Sequence, residues 1–359
     1  MRILLLFGGL LGASRGTPSR ARNLASALAA KDGIELLALS RECELKLPGV
    51  EHRSLEQTTL EQAVADFRPQ LVYGQTHKAL PALAALRGTL RVVDLHGDPV
   101  AEKLEERWRP LHRRLRSAFA VWRRTRIRRR GLDGLTVVSH TLERAVEPLG
   151  LPVQLVWGGV DPGLFSPTTI TTPGDKLTIG YAGNFQPYQG LPTLLEAVGS
   201  LVARGRDLEL ILVGDPGATG VDRLARQLLG ERVTLAGQVA YEAVPEALAR
   251  ANVLVIPRPD SRPARAGFPS KLPEYMALGK ALVITDVGDQ GRVVRDGESG
   301  LVVPPSSSSA LAAALERLRD EPLRDRLGQT ARAVAQDELS WRAATDSLLD
   351  FFVRLQNQP

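Results

Sequence analysis

A single cysteine, Cys43, in 359 residues leaves no partner for an intramolecular disulfide and no basis for a cysteine zinc site, a usage that suits a reducing compartment. Nowhere do about 18 apolar residues run together, so no bilayer-spanning helix is expected. The sequence has no D-x-D and no close grouping of His, Asp and Glu with metal-ligand spacing, so no metal and no cofactor are expected. Neither G-x-S-x-G nor a Cys/His arrangement is present, which removes support for a nucleophilic triad. Lysine is scarce, with seven against 39 arginines. One further absence is local: no Asp or Glu falls between Arg107 and Arg130, a span that holds eleven arginines. The formal charge is +6, and setting those eleven aside leaves −5, so a mildly acidic body carries one basic element.

What is present reads as an ordinary globular chain, 43% apolar and 24% charged. Its length suits two domains of about 150 residues, each able to bury its own core. The start, MRILLLFGGLLGAS, has the superficial look of a secretory signal, with Arg2 before an eleven-residue apolar stretch. The preferred reading is a strand from Ile3 to Phe7, a Gly-rich loop and the LASALAAK helix, the way many α/β domains begin.

Short apolar runs alternate with longer amphipathic segments along the whole chain, the mark of βα units around parallel sheets. The runs fall at 3–7, 35–40, 70–74, 90–96, 135–139 and 152–157, then at 177–183, 208–214, 232–237, 252–257, 281–285 and 300–303. Two sets of six predict an α/β fold of two doubly wound, Rossmann-like domains, because a single sheet of twelve would be exceptional. The Pro-, Thr- and Gly-rich stretch SPTTITTPGDK (166–176) reads as the linker. The expected division is 1–165, 166–341, and a final helix in 342–359.

Ligands of open α/β sheets sit at the C-terminal ends of strands, and with two such domains the cleft between them is the default site. Five loops qualify. The first holds Gly9, Gly12 and Gly16; it lacks both GxGxxG and GK[ST], and reads as an acceptor-side loop or as turn glycines. The second holds His96, a side chain suited to contact a transferring hydroxyl near neutral pH, or a structural histidine. In the third, Gly183 and Gly190 bracket Asn184 and Gln189 ahead of a helix, which can offer backbone donors to a diphosphate. The fourth runs from Arg258 to Gly267, Phe268 and Lys271. Lys271 begins a helix whose positive end repels it, a placement that becomes sensible if an anion binds, and Glu274 shares its helix face. The fifth, with Gly288, Asp289 and Gln290, exposes amides to a sugar or phosphate.

In the second half, GGVDPGLFSP (158–167), GYAGNFQPYQGLPTLLEAV (180–198), VTLAGQVAYEAVPEALARANVLVIP (233–257), EYMALGKALVITDVGDQG (274–291) and ESGLVVPP (298–305) follow in the order found in family 4 retaining glycosyltransferases of the GT-B fold. The resemblance covers about half the chain closely and the first half more loosely. It implies a metal-independent transferase that uses a nucleotide-sugar, UDP- or GDP-linked, and holds a glycan or lipid-linked acceptor mainly on the N-terminal domain. It also implies a final helix that crosses back to the first domain, a role that 342–356 could fill. The family places two glutamates eight positions apart. The second matches Glu274 and would hold the donor ribose; the first falls on Ala266, although Gly267 and Phe268 keep the pattern. Arginine and lysine are frequent in the family where Asn184 and Gln189 stand here. Lys271, in a PxK element with Pro269, and Arg258 are then the cations expected to meet the diphosphate. His96 resembles a family histidine near the reacting centre and would position a sugar without forming a covalent intermediate. The alternatives are a catalytically degenerate GT-B protein that binds a sugar-nucleotide or a partner, and a nucleotide-sugar 2-epimerase, which needs more carboxylates than this cleft offers.

Leu104, Trp108, Leu111, Leu115, Phe119 and Trp122 recur at spacings of 4, 3, 4, 4 and 3, which predicts one amphipathic helix within 104–130. Either this stripe packs on the first domain with the arginines in solvent, or it lies on an anionic membrane surface. Nucleic acid is not expected as a partner, because no recognition fold accompanies the basic run. The corresponding expectation for location is cytoplasmic, peripheral on the inner face of the membrane.

Overall fold

The computed structural model describes residues 1–12, 16–42, 46–105, 110–127, 131–167, 176–217 and 219–358. Cys43, Arg107, Trp108, Arg109, residues 128–130 and most of the expected linker, 168–175, lie outside the described residues. The chain divides into two compact units: Met1–Gly159 with Ala266–Phe268 and Trp341–Pro359, and Val160–Arg265 with Pro269–Ser340.

The first unit is built on seven strands: β1 (Arg2–Leu6), β2 (Glu35–Ser40), β3 (Val50–Ser54), β4 (Leu71–Gln75), β5 (Leu90–Leu95), β6 (Gly134–Val137) and β7 (Val153–Leu155). They pair in the order β3-β2-β1-β4-β5-β6-β7, all parallel. The second unit has β8 (Leu177–Ala182), β9 (Leu208–Val213), β10 (Val233–Gly237), β11 (Val253–Ile256), β12 (Ala281–Thr285) and β13 (Leu301–Val303), in the order β10-β9-β8-β11-β12-β13. Both orders reverse direction once, between β1 and β4 and between β8 and β11, as a doubly wound fold does at its ligand crevice. The expected fold class is therefore the observed one. Central strands such as β8 and β12 are buried at every position, which is why they read as unbroken apolar runs.

The structure departs from the sequence reading in three places. The strand β3, VEHRS, was not expected, because an edge strand with polar residues leaves no apolar run to read. The change of unit falls after Gly159, ahead of the boundary expected at 165. Val160 donates its amide to the Leu339 carbonyl at 2.8 Å, and the Phe165 ring lies 5.3 Å from that of Tyr241, which ties this segment into the second unit. The expected single helix within 104–130 is instead Pro99–Glu105 and Leu111–Ile127. Pro110 explains the second start: a proline has no amide to donate to a preceding turn and disfavours helical geometry in the residue before it, whereas its carbonyl accepts from Arg113 and Arg114.

The final helix, Trp341–Gln356, belongs to the first unit. The Phe352 ring meets Tyr73 edge-on at 5.3 Å. Gly134 on β6 makes room for the helix, since a Cβ there would lie 2.8 Å from Leu355 and 2.9 Å from Phe351.

Candidate functional site

In the second unit the candidate site forms around the β8/β11 switch point. The loop after β8 turns at Gly190, whose φ of +74° suits glycine, and a side chain there would run into the Pro257 carbonyl. That contact seats the 183–190 loop directly against the segment that carries Arg258. Lys271 enters from its own helix, Lys271–Ala277, and is buried. Its ammonium donates to the Tyr181 hydroxyl at 2.7 Å and to the Gln189 side-chain oxygen at 3.1 Å, and lies 3.9 Å from the centre of the Tyr181 ring. The Tyr181 hydroxyl in turn donates a hydrogen bond to the Asn184 carbonyl at 2.6 Å.

Arg258 is 4% exposed and sits 6.0 Å from the Tyr188 ring centre. Burial lowers the Lys271 ammonium well below the ordinary lysine range, and the neighbouring Arg258 guanidinium lowers it further, with Glu274 opposing. Two cations so placed repel one another and would be relieved by an anion. Burial pushes the Glu274 carboxyl up to about 7, against a hydrogen bond from Tyr241 and the charge of Lys271. Lys271, Arg258, Gln189, Asn184, Gly183 and Glu274 are thus gathered on one unit.

The fifth loop behaves differently. Gln290 is fully buried, and its side-chain amide donates to the Thr285 carbonyl at 3.3 Å and to the Val287 carbonyl at 3.1 Å. Its amide group therefore ties the loop to itself and does not offer donors to a ligand. Asp289 is buried beside it, and Gly288, at φ +62°, allows the loop to approach the Arg265 carbonyl. Gly267 and Phe268 belong to the first unit, where the Phe268 ring stacks on Trp157 at 6.1 Å and the Ala266 carbonyl accepts from Ser139 at 2.6 Å.

In the first unit, His96 stands at one end of a polar network centred on the buried Asp94. Its Nε2 is 2.7 Å from Asp94, which also receives Arg20 Nε at 2.9 Å and the Thr136 hydroxyl at 2.8 Å. Arg20 continues to the Val156 and Trp157 carbonyls, each at 3.0 Å. Burial alone would raise the Asp94 carboxyl, but the Arg20 guanidinium and His96 outweigh it and hold Asp94 well below the usual carboxylate range. An ionised Asp94 accepts, so His96 Nε2 carries the hydrogen of this contact. The other ring nitrogen, Nδ1, is buried with no hydrogen-bond partner among the described residues. Arg20 and Asp94 were missed by sequence reading, since nothing local marks a pair 74 positions apart; the position of Asp94 at the end of a strand was the only signal.

The loop with Gly9 and Gly12 already holds a carboxylate: the amides of Leu11 and Gly12 donate to Glu42 at 2.8 and 2.6 Å. Gly9 has no positive φ, and Gly16 opens the helix Gly16–Ala29. Among the described residues no group of three or more His, Cys, Asp and Glu could hold a metal ion, and no helix is long and apolar enough to cross a membrane.

The family model "Glycosyl transferases group 1" matches residues 176–321. An α-D-kanosaminyltransferase of Streptomyces kanamyceticus is 31% identical over 181 residues, 50% of this chain and 46% of that protein. The chain spans about half the length of the curated relatives it matches. Sucrose-phosphate synthase from Thermosynechococcus elongatus superposes with a TM-score of 0.80 at 22% identity, covering 99% of both chains. HepE of Anabaena in complex with UDP and glucose superposes with a TM-score of 0.72 at 18% identity, covering 98% of this chain and 99% of that one. The chain therefore has the GT-B fold, and its residues 176–321 match the glycosyl transferases group 1 family.

Proposed function

We propose that the protein is a family 4 retaining glycosyltransferase that moves a hexose from a UDP- or GDP-linked donor to a glycan or lipid-linked acceptor without a metal ion. The observation that carries this reading is the burial of Lys271 beside Arg258, both carried by the segment after β11, with the Lys271 ammonium on Gln189 of the loop after β8. When the bond from the sugar to the diphosphate breaks, negative charge grows on the leaving oxygen. Cations already fixed in a dry site stabilise that charge without having to reorganise. A diphosphate would also offset the burial and the Arg258 repulsion that together hold Lys271 below its ordinary range.

Glu274, three residues along the same helix, would accept from the ribose hydroxyls. On the first unit, His96 Nδ1 would accept a sugar hydroxyl, with the ring held by Asp94. The acceptor oxygen then bonds to the anomeric carbon on the face that the diphosphate leaves, and its proton passes to the leaving phosphate, which preserves the configuration. The similarity to a kanosaminyltransferase and to a structure that holds UDP and glucose supports sugar transfer and favours a uridine donor.

The test is a thermal-shift screen of UDP, GDP and their sugar conjugates, followed by assay of nucleoside diphosphate release. A ligand bound only by the native state must raise its stability, by about 2.7 kcal/mol at a hundred times Kd. Stabilisation by one nucleotide series with slow release from its sugar conjugate is expected. No stabilisation by any, or tight binding without turnover toward any acceptor, would sink the proposal.

A further inference from the structure

The helix Leu111–Ile127 turns its largest apolar side chains away from the unit that carries it. Leu111, Leu115, Phe119 and Trp122 are 61%, 52%, 60% and 42% exposed. The side that faces inward has small residues instead: Ala118 is buried, and Ser117 and Val121 are half-buried. The four exposed residues recur at spacings that place them on one face, and the Phe119 and Trp122 rings stack at 5.6 Å, so the face is a continuous ridge. For Leu111, Leu115, Phe119 and Trp122 the expectation of packing on the first domain is therefore corrected; Leu104 is half-buried and Trp108 lies outside the described residues. Small residues let the helix lie close to its neighbours, and that leaves the large ones no core to enter.

Charge surrounds the ridge. His112, Arg113, Arg116 and Arg123 are exposed, and Arg114 reaches back to the Leu104 carbonyl. No acidic residue occurs from 107 to 130, although the rest of the chain carries −5. The occupant of this face must therefore take up an apolar ridge and neutralise several guanidinium groups at once. A second copy of the chain would set the same arginines against one another. A nucleic acid or an acidic peptide would meet the arginines and leave the leucines in water. An anionic bilayer surface satisfies both demands, with headgroup charges beside the arginines and acyl chains beneath the ridge.

We propose that the helix Leu111–Ile127 lies in the headgroup layer of an anionic membrane, inserted through Leu111, Leu115, Phe119 and Trp122. The helix is about 25 Å long, enough to rest along the surface and anchor one unit there. The negative remainder of the chain is repelled by the same surface, so docking occurs through this element and in one orientation. This inference goes beyond the transferase reading and stands on the helix alone.

The experiment is co-sedimentation of the full chain with vesicles of phosphatidylcholine and of phosphatidylcholine mixed with phosphatidylglycerol, at low and high salt. Binding to the anionic vesicles is expected, at least about tenfold above the neutral ones and weakened by salt. Each of R113Q, R116Q and R123Q should lower partitioning about fivefold, the effect of one basic residue near such a surface. The double variant F119E/W122E should abolish it, with melting temperature and nucleotide-induced stabilisation unchanged, because both side chains already face solvent. Brominated lipid should quench tryptophan emission in the native chain and quench W122F measurably less. Equal binding to neutral and anionic vesicles, no binding to either, or binding that F119E/W122E leaves intact would overturn the proposal. So would capture of RNA or DNA in preference to anionic vesicles at the same salt.

Discussion

The ammonium of Lys271 ends on the side chain of Gln189, 3.1 Å away and 82 positions distant in sequence. Gln189 stands where the family resemblance implies a lysine, so positive charge reaches the same loop from a different element. Replacing Lys271 tests that substitution of roles. If Lys271 is the main phosphate ligand, as proposed, K271A should lower kcat/KM for donor turnover by more than tenfold, above ~1.4 kcal/mol. K271M, which keeps volume and removes a buried charge, should lower activity in the same way while holding or raising the melting temperature.

Glu274 gives a pH signature. Its carboxyl is raised from an ordinary 4.5 to about 7 in the native protein. A raised native value means that the folded state holds the proton more tightly, so the contribution is present in full below about 4.5 and is lost as pH rises through 7. E274Q removes the dependence. Its melting temperature relative to the native chain should climb between pH 5 and 8 and stay level below pH 4.5; a constant difference would contradict the assignment.

Asp94 anchors the polar chain of the first unit through Arg20 and His96, both at hydrogen-bond distance. D94A strands a buried guanidinium and should cost about 3–5 kcal/mol in urea unfolding. A depressed carboxylate contributes above its ordinary range and loses that contribution only as pH falls through its lowered native value. The native chain should therefore keep the advantage over D94A throughout mildly acidic solution, down to about pH 4. If His96 positions a sugar, D94N, the milder change, should lower kcat more than it raises the donor KM.

Gly190 cannot be replaced without moving the loop. G190A meets both an unfavourable left-handed φ, worth about 1 kcal/mol, and the Pro257 carbonyl. Its melting temperature should fall, and nucleotide-induced stabilisation should fall with it, since Asn184 and Gln189 lie on the same loop.

Ala266 stands where the family resemblance places a glutamate, yet it is 2% exposed in an apolar cluster with Val138 and Leu142. Restoring the acid should not restore a ligand contact. A266E should lose several degrees of melting temperature, because it buries a carboxylate without a partner, and should gain no activity.

The candidate site was partly legible in the sequence. Lys271 was marked by the rarity of lysine and by its unfavourable place at a helix start, and Glu274 by its spacing from Lys271. Tyr181, which carries the Lys271 ammonium, was invisible, since a tyrosine inside an apolar strand reads as core. Arg20 looked like any helical arginine among many. Gln290 belongs to a loop whose amides the sequence offers to a sugar or phosphate, and the fold turned its side-chain amide onto the carbonyls of that same loop.

By itself the sequence determined the two parallel sheets, the loops where their strands end, and the helix with an arginine face. Each of these follows from local periodicity and from backbone preferences that act within a few residues. Only the tertiary structure decided that Arg20 meets Asp94, that Lys271 meets Gln189, and that the stripe of Leu115 and Phe119 points outward. Periodicity fixes that a helix has an apolar face but not the direction in which that face is turned. That direction depends on which neighbours fill the remaining space, and here Ala118 and Ser117 packed inward, leaving the large side chains to another surface.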